Sequence, residues 1–170
     1  MTTPTRPPCF PNDKDMLDGK TEIELPSATY TKAYWDCDIL DLDDKNKEDT
    51  ILGTEEIFKV RFRVELKGRL WRCITGDWKF DVGFKTIGKG PGFYLADLLP
   101  NDPNFEVKGW RGCDSLCIER VVTVPRGTVK IERDVQAFET VGLVELRCCD
   151  GHVAVAGYEA LEEYEFFKGD

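Results

Sequence analysis

The sequence predicts an all-β protein, an antiparallel two-sheet sandwich behind an extended amino-terminal arm. Three observations carry this. Several segments alternate strictly between apolar and polar residues, turn signals separate them at short intervals, and no window has the 3.6-residue periodicity of an amphipathic helix. Immunoglobulin-like topology is the expected version, with a jelly roll or a small barrel as alternatives.

Residues 1–26 form the expected arm. Pro4, Pro7, Pro8 and Pro11 fall close together, and proline fixes φ and offers no backbone donor. Residues 27–170 form the expected single sandwich domain, a size that buries enough surface to fold unaided. In "AYWDCDI", Ala33, Trp35, Cys37 and Ile39 alternate with Tyr34, Asp36 and Asp38. In "IFKVRFRVEL", Phe58, Val60, Phe62, Val64 and Leu66 alternate with Lys59, Arg61, Arg63 and Glu65. In "WKFDVGFK", Trp78, Phe80, Val82 and Phe84 alternate with Lys79, Asp81, Gly83 and Lys85. A strand places successive side chains on opposite faces, so each segment has one buried and one wet face.

Later strands are expected at Leu116 to Val124, Val129 to Glu132, Glu139 to Cys149, His152 to Ala156 and Tyr164 to Phe167. The signals "LKGR", "TGD", "VPRG" and "CDGH" mark turns, and Asp150-Gly151 marks a tight hairpin. "FYLADLLP" predicts one short helical turn, and "EALEEYE" offers another in competition with the last strand.

The net charge of −9 argues against nucleic acid or an anionic membrane as the partner, and no apolar run is long enough to span a bilayer. The first residues have no apolar core of a signal peptide, so a cytoplasmic location is expected. The seven cysteines are then expected to be mostly reduced.

No motif identifies a reaction. The glycine-rich "TIGKGPGF" has Lys89 followed by Gly90 rather than Ser or Thr, and no helix follows, so it predicts a connection between strands rather than a phosphate loop. Cys113, Cys117, Cys149 and His152 are the residues that could form a zinc site, but their spacing departs from C-x2-C and Cys148 and Cys149 point to opposite faces. A cysteine nucleophile would have His152, the only histidine, as its base, and nothing marks a third orienting group. The acidic run from Asp41 resembles a calcium loop at Asp41 and Asp43, then fails where Lys45 and Asn46 stand. No catalytic residue, metal or cofactor is therefore expected.

Charge is segregated along the chain. Residues 1–56 carry a net −8, residues 57–89 a net +6 and residues 90–170 a net −7. If their strands are neighbours, Lys59, Arg61, Arg63, Lys79 and Lys85 form one basic stripe. The stripe would serve cross-strand pairing and edge protection, or docking of the acidic region before residue 56, or an acidic protein partner. Trp110, between Gly109 and Gly112 in "KGWRG", is the tryptophan expected to be exposed. With Lys89 and the stripe it completes the candidate binding residues. The expected function is a non-enzymatic protein-interaction or assembly module. A small-ligand or carbohydrate-binding domain is the alternative, and a cysteine-dependent enzyme comes third.

Overall fold

The computed structural model describes residues 20–23, 32–41, 50–148 and 151–169. It shows two β-sheets packed face to face. The strands are β1 (Lys20–Ile23), β2 (Lys32–Asp41), β3 (Ile51–Gly53), β4 (Phe58–Lys67), β5 (Thr75–Thr86), β6 (Phe93–Tyr94), β7 (Glu106–Arg111), β8 (Cys117–Val124), β9 (Val135–Cys148), β10 (Val153–Ala160) and β11 (Tyr164–Phe167). A single helical turn, α1 (Leu95–Leu98), follows β6.

The smaller sheet is β2-β4-β8, antiparallel throughout. The larger sheet is organised by the two longest strands. β9 pairs with β5 along one side, and along the other with β10 at one end and β11 at the opposite end. β1 extends the sheet beyond β10, β3 extends it beyond β11, and β6 and β7 lie on the far side of β5. β3 and β11 run parallel, a departure from the antiparallel expectation. Among the described residues the two sheets share no ladder.

The three alternating segments behave as their pattern requires. Trp35, Cys37 and Ile39 of β2, the apolar residues of β4 and those of β5 are buried in one continuous core. Phe62 of the smaller sheet stacks on Phe80 of the larger, with ring centroids 5.2 Å apart. Phe58 meets Phe166 across the same gap at 5.9 Å. Gly142 of β9 faces Trp35 and Cys37, and an added Cβ would lie 2.7 Å from that of Cys37. The sheets approach this closely only because the position lacks a side chain.

Several expectations are corrected. Lys20–Ile23 lies within the supposed arm, yet pairs with β10 as an edge strand; the rest of the arm lies outside the described residues, as does the acidic run after Asp41. "TGD" is the start of β5 rather than a turn. Gly76 belongs inside the strand because a Cβ there would come within 2.4 Å of the Arg147 carbonyl oxygen. Val129 to Glu132 makes no strand, though Val129 and Ile131 are buried. The "EALEEYE" segment is divided between the end of β10, a short connection and the start of β11.

Candidate binding surface

The basic residues do not form one stripe. Lys59, Arg61 and Arg63 lie on the outer face of β4 in the smaller sheet, while Lys79 and Lys85 lie on the outer face of β5 in the larger. The core separates the sheets, so these faces point in opposite directions. The reversal comes from the link between β4 and β5, where a 3-10 turn at Leu70–Cys73 buries Trp71 and carries the chain from one sheet to the other. Gly112 lets that turn pack closely, since a Cβ there would sit 1.6 Å from the Trp71 carbonyl oxygen.

The β2-β4 register places Asp38 opposite Arg61 and Asp36 opposite Arg63. Arg61 donates to Asp38 at 2.6 Å, Arg63 donates to Asp36, and Arg63 lies 3.6 Å from Asp38. Burial pushes the Asp36 carboxyl above its ordinary range, against the opposing pull of Arg63. The segregated charges of the sequence therefore meet as cross-strand pairs.

Trp110 is buried, not exposed. Gly109 adopts φ +64°, and two residues of β7, Lys108 and Gly109, stand opposite one residue of β5, Asp77. This bulge turns Trp110 inward, edge-on to Trp78 at 5.5 Å, with its indole nitrogen donating to the Ser115 carbonyl. The glycine loop closes the connection from β5 to β6. Gly88 and Gly90 have positive φ, Thr86 Oγ1 donates to the Pro91 carbonyl, and Lys89 is exposed at the tip. Trp110 and this loop lie at opposite ends of β5.

Among the described residues the candidate metal ligands do not converge either. Cys113 is exposed in the turn after β7, His152 is exposed, and Cys149 lies outside the described residues. Cys117 is in a disulfide while Cys37, Cys73, Cys113 and Cys148 are free, and a disulfide sulfur offers a metal no thiolate. Among the described residues no three His, Cys, Asp or Glu side chains group as metal ligands. Cys37 is buried beside Glu159, whose carboxylate accepts its backbone N–H at 2.8 Å. Burial and the surrounding carboxylates push its thiol well up, the reverse of what a nucleophile needs.

A concave surface does exist, on the outer face of the larger sheet. A cavity of about 420 Å³ lies over β5, β9 and β10. Leu143 and Ala156 form part of its floor, Lys79, Asp81 and Glu145 line it, and Phe105 and Glu106 bound it at the β5 edge. Asp81 is fixed by its Oδ1, which accepts the backbone N–H groups of Val82 and Ala96 at 2.8 and 2.9 Å. Burial raises its carboxyl above the ordinary range, the two N–H groups pull it back, and Asp97 raises it further. A second hollow of about 660 Å³, along the 99–108 segment, shares Ala96, Phe105 and Glu106 with the first. Two large exposed aromatics stand on the same face, Tyr94 on β6 and Tyr158 on β10, with half-buried Val141 in the cross-strand row of Tyr94 and half-buried Leu143 in that of Tyr158.

Sequence reasoning placed Asp81 on a wet face but did not find the cavity. Its neighbours come from β9 and β10, and only the register brings them to Asp81. Tyr158 carries a weaker signal, the large aromatic on the polar phase of a late strand.

No protein-family model and no curated protein matches the chain. Among solved structures, the C-terminal domain of Wzt is similar with a TM-score of 0.47 and 8% identity, covering 91% of this chain and 80% of that one. A Niemann-Pick type C2 protein from the Japanese carpenter ant gives 0.43 and 15%, covering 87% and 99%. The soluble domain of PmoD from a Methylocystis species gives 0.32 and 10%, covering 82% and 97%. At these scores the likenesses carry no argument about function, and the sandwich rests on the strand ladders themselves.

Proposed function

We propose that this chain is a non-enzymatic protein-interaction module that meets its partner with the outer face of the larger sheet. The observation that supports this most is the concave floor over β5, β9 and β10, flanked by exposed Tyr94 and Tyr158. Exposed tyrosines beside a half-buried aliphatic floor are what protein interfaces favour, because a rigid aromatic contributes contact area at little entropic cost. The smaller sheet is a poorer candidate, since Arg61 and Arg63 are already committed to Asp36 and Asp38.

Site-specific photo-crosslinking in the native host tests this. A crosslinking residue at Tyr158 or Tyr94 is expected to capture a protein that the same residue at Thr123, on the smaller sheet, does not. Capture from Thr123 alone, or from none of the three, rejects the assignment.

A small-ligand or carbohydrate site is the second reading, and the same face favours it. Tyr158 and Tyr94 stand on strands three spacings apart, roughly 14 Å, enough for a short glycan. Binding of neutral oligosaccharides that is lost in Tyr94→Ala and Tyr158→Ala would favour this reading over a protein partner.

A further inference from the structure

We infer that the cavity at Asp81 receives a cationic side chain, a lysine or arginine carried on an extended segment of the partner protein. This rests on the outer-face reading above and gives its partner a chemistry. It also reverses the sign expected from sequence, because the basic residues that were to attract an acidic partner do not act as one surface. Arg61 and Arg63 are used within the smaller sheet, and Lys79 and Lys85 lie on the other side of the core.

The charge of the cavity argues for a cation. Its lining includes the carboxylates of Asp81, Glu106 and Glu145 against one ammonium, that of Lys79. Arg147 draws on Glu145 at its far side, through Oε1 at 2.6 Å, and Lys108 lies 3.7 Å from Glu106, so each carboxylate is partly neutralised by an exposed side chain. Asp81 is different. Its Oδ1 is held by two backbone N–H groups, and among the described residues no hydrogen bond reaches Oδ2 and no cation pairs with it. Nearby Asp97 adds to the negative potential. A carboxylate fixed at one oxygen and open at the other is oriented before a ligand arrives, so binding costs little further ordering.

The shape argues for a long aliphatic stem and against a compact ion. Apolar Leu143, Ala156 and Phe105 line the approach to Asp81, and a lysine or arginine stem packs on such surface while its charged head reaches the carboxylate. The adjoining hollow, with Leu99, Pro100 and Pro103 in its lining, continues the groove over the sheet edge. This is room for the partner backbone to run on.

The probe is acetyl-Gly-Arg-Gly-amide, titrated into the 15N-labelled full chain and followed by amide shifts. Its citrulline counterpart, equal in shape and uncharged, is the control. Saturable shifts at Asp81, Ala96, Leu143 and Gly157 are expected with the arginine peptide and not with the citrulline peptide. Asp81→Asn keeps the oxygen that Ala96 needs and is expected to weaken binding by about tenfold or more. Lys79→Gln removes the one cation of the cavity and is expected to tighten it. Equal binding of the two peptides, tighter binding by Asp81→Asn, or no saturable shift each overturns the inference. If the peptides fail while a crosslinker at Tyr158 still captures a protein, the outer-face reading stands and only its cationic chemistry falls. If both fail, both fall.

Discussion

Arg63 reaches two carboxylates of the neighbouring strand at once, pairing with Asp36 directly across the ladder and lying 3.6 Å from Asp38. It is 15% exposed and Asp36 is 11% exposed, so water screens the group poorly. Removing Arg63 therefore leaves two partly buried like charges facing each other. Arg63→Leu is expected to cost about 1–3 kcal/mol, above an exposed pair and below a fully buried one. Lys85→Leu, an exposed position with no ion pair among the described residues, is expected to stay within about 0.5 kcal/mol. Urea unfolding of the two variants measures the difference, and equal losses would show that the carboxylates do not depend on Arg63.

Asp81 gives a pH signature. Its carboxyl is raised above the ordinary 3.8 in the folded chain, first by burial. The folded state therefore holds that proton more tightly than the unfolded state does. The stabilisation is complete below the unfolded pKa and is lost as pH rises through the folded one. At neutral pH the ionised group weighs against folding. Asp81→Asn removes the charge and keeps a carbonyl oxygen for Ala96. It is expected to melt above wild type near pH 7, with the gap closing as the pH falls toward about 4. A variant that melts lower at neutral pH, or a gap that grows on acidification, would contradict the raised pKa.

These two carboxylates show what a single sequence can reveal. Alternation turns Asp36 and Asp81 away from the core, although the pair with Arg63 leaves Asp36 itself buried, and puts Phe62 and Trp78 in the core, where both are 0% exposed. It holds because period 2 is a local property of the strand. Which wet face a residue shares, and with whom, depends on pairings between distant segments. The β4 and β5 cations read as one group because they are close in sequence, but a 3-10 turn separates them into different sheets. Trp110 was misplaced for a local reason, a bulge at Gly109 that shifts the phase of a short strand. Flanking glycines signal such a bulge as readily as they signal an exposed loop.

Four of the described cysteines, Cys37, Cys73, Cys113 and Cys117, fall into three chemical environments, and labelling should separate them. Cys73 and Cys113 are exposed and are expected to react with iodoacetamide in the native protein. Cys37 is buried with its thiol held protonated, so it is expected to react only after unfolding. Cys117 is expected to react only after reduction. Peptide mass spectrometry after sequential labelling reads all three. Cys117 labelled without reductant in protein purified under oxidising conditions would remove the disulfide and favour the cytoplasmic expectation, since such bonds persist mainly in oxidising compartments.

Gly142 sets the distance between the sheets at the Trp35 end of the core. A methyl group there would lie 2.7 Å from the Cys37 Cβ and 2.9 Å from the Trp35 ring. The first contact is rigid, because the Cys37 Cβ moves only with the β2 backbone, and β2 is tied to β4 along ten residue pairs. The second can yield if the ring shrinks. Gly142→Ala is therefore expected to destabilise by about 1–3 kcal/mol, the range for overpacking a tight core. Part of this opposes the strand preference of alanine over glycine, so the loss understates the steric strain. Trp35→Phe in the Gly142→Ala background is expected to cost less than Trp35→Phe alone, because the smaller ring makes room for the methyl. A double-mutant cycle measures that coupling, expected at about 0.5 kcal/mol or more for side chains in direct contact. Strict additivity would mean that the sheets slide apart to admit the methyl group, and that Gly142 does not fix their spacing.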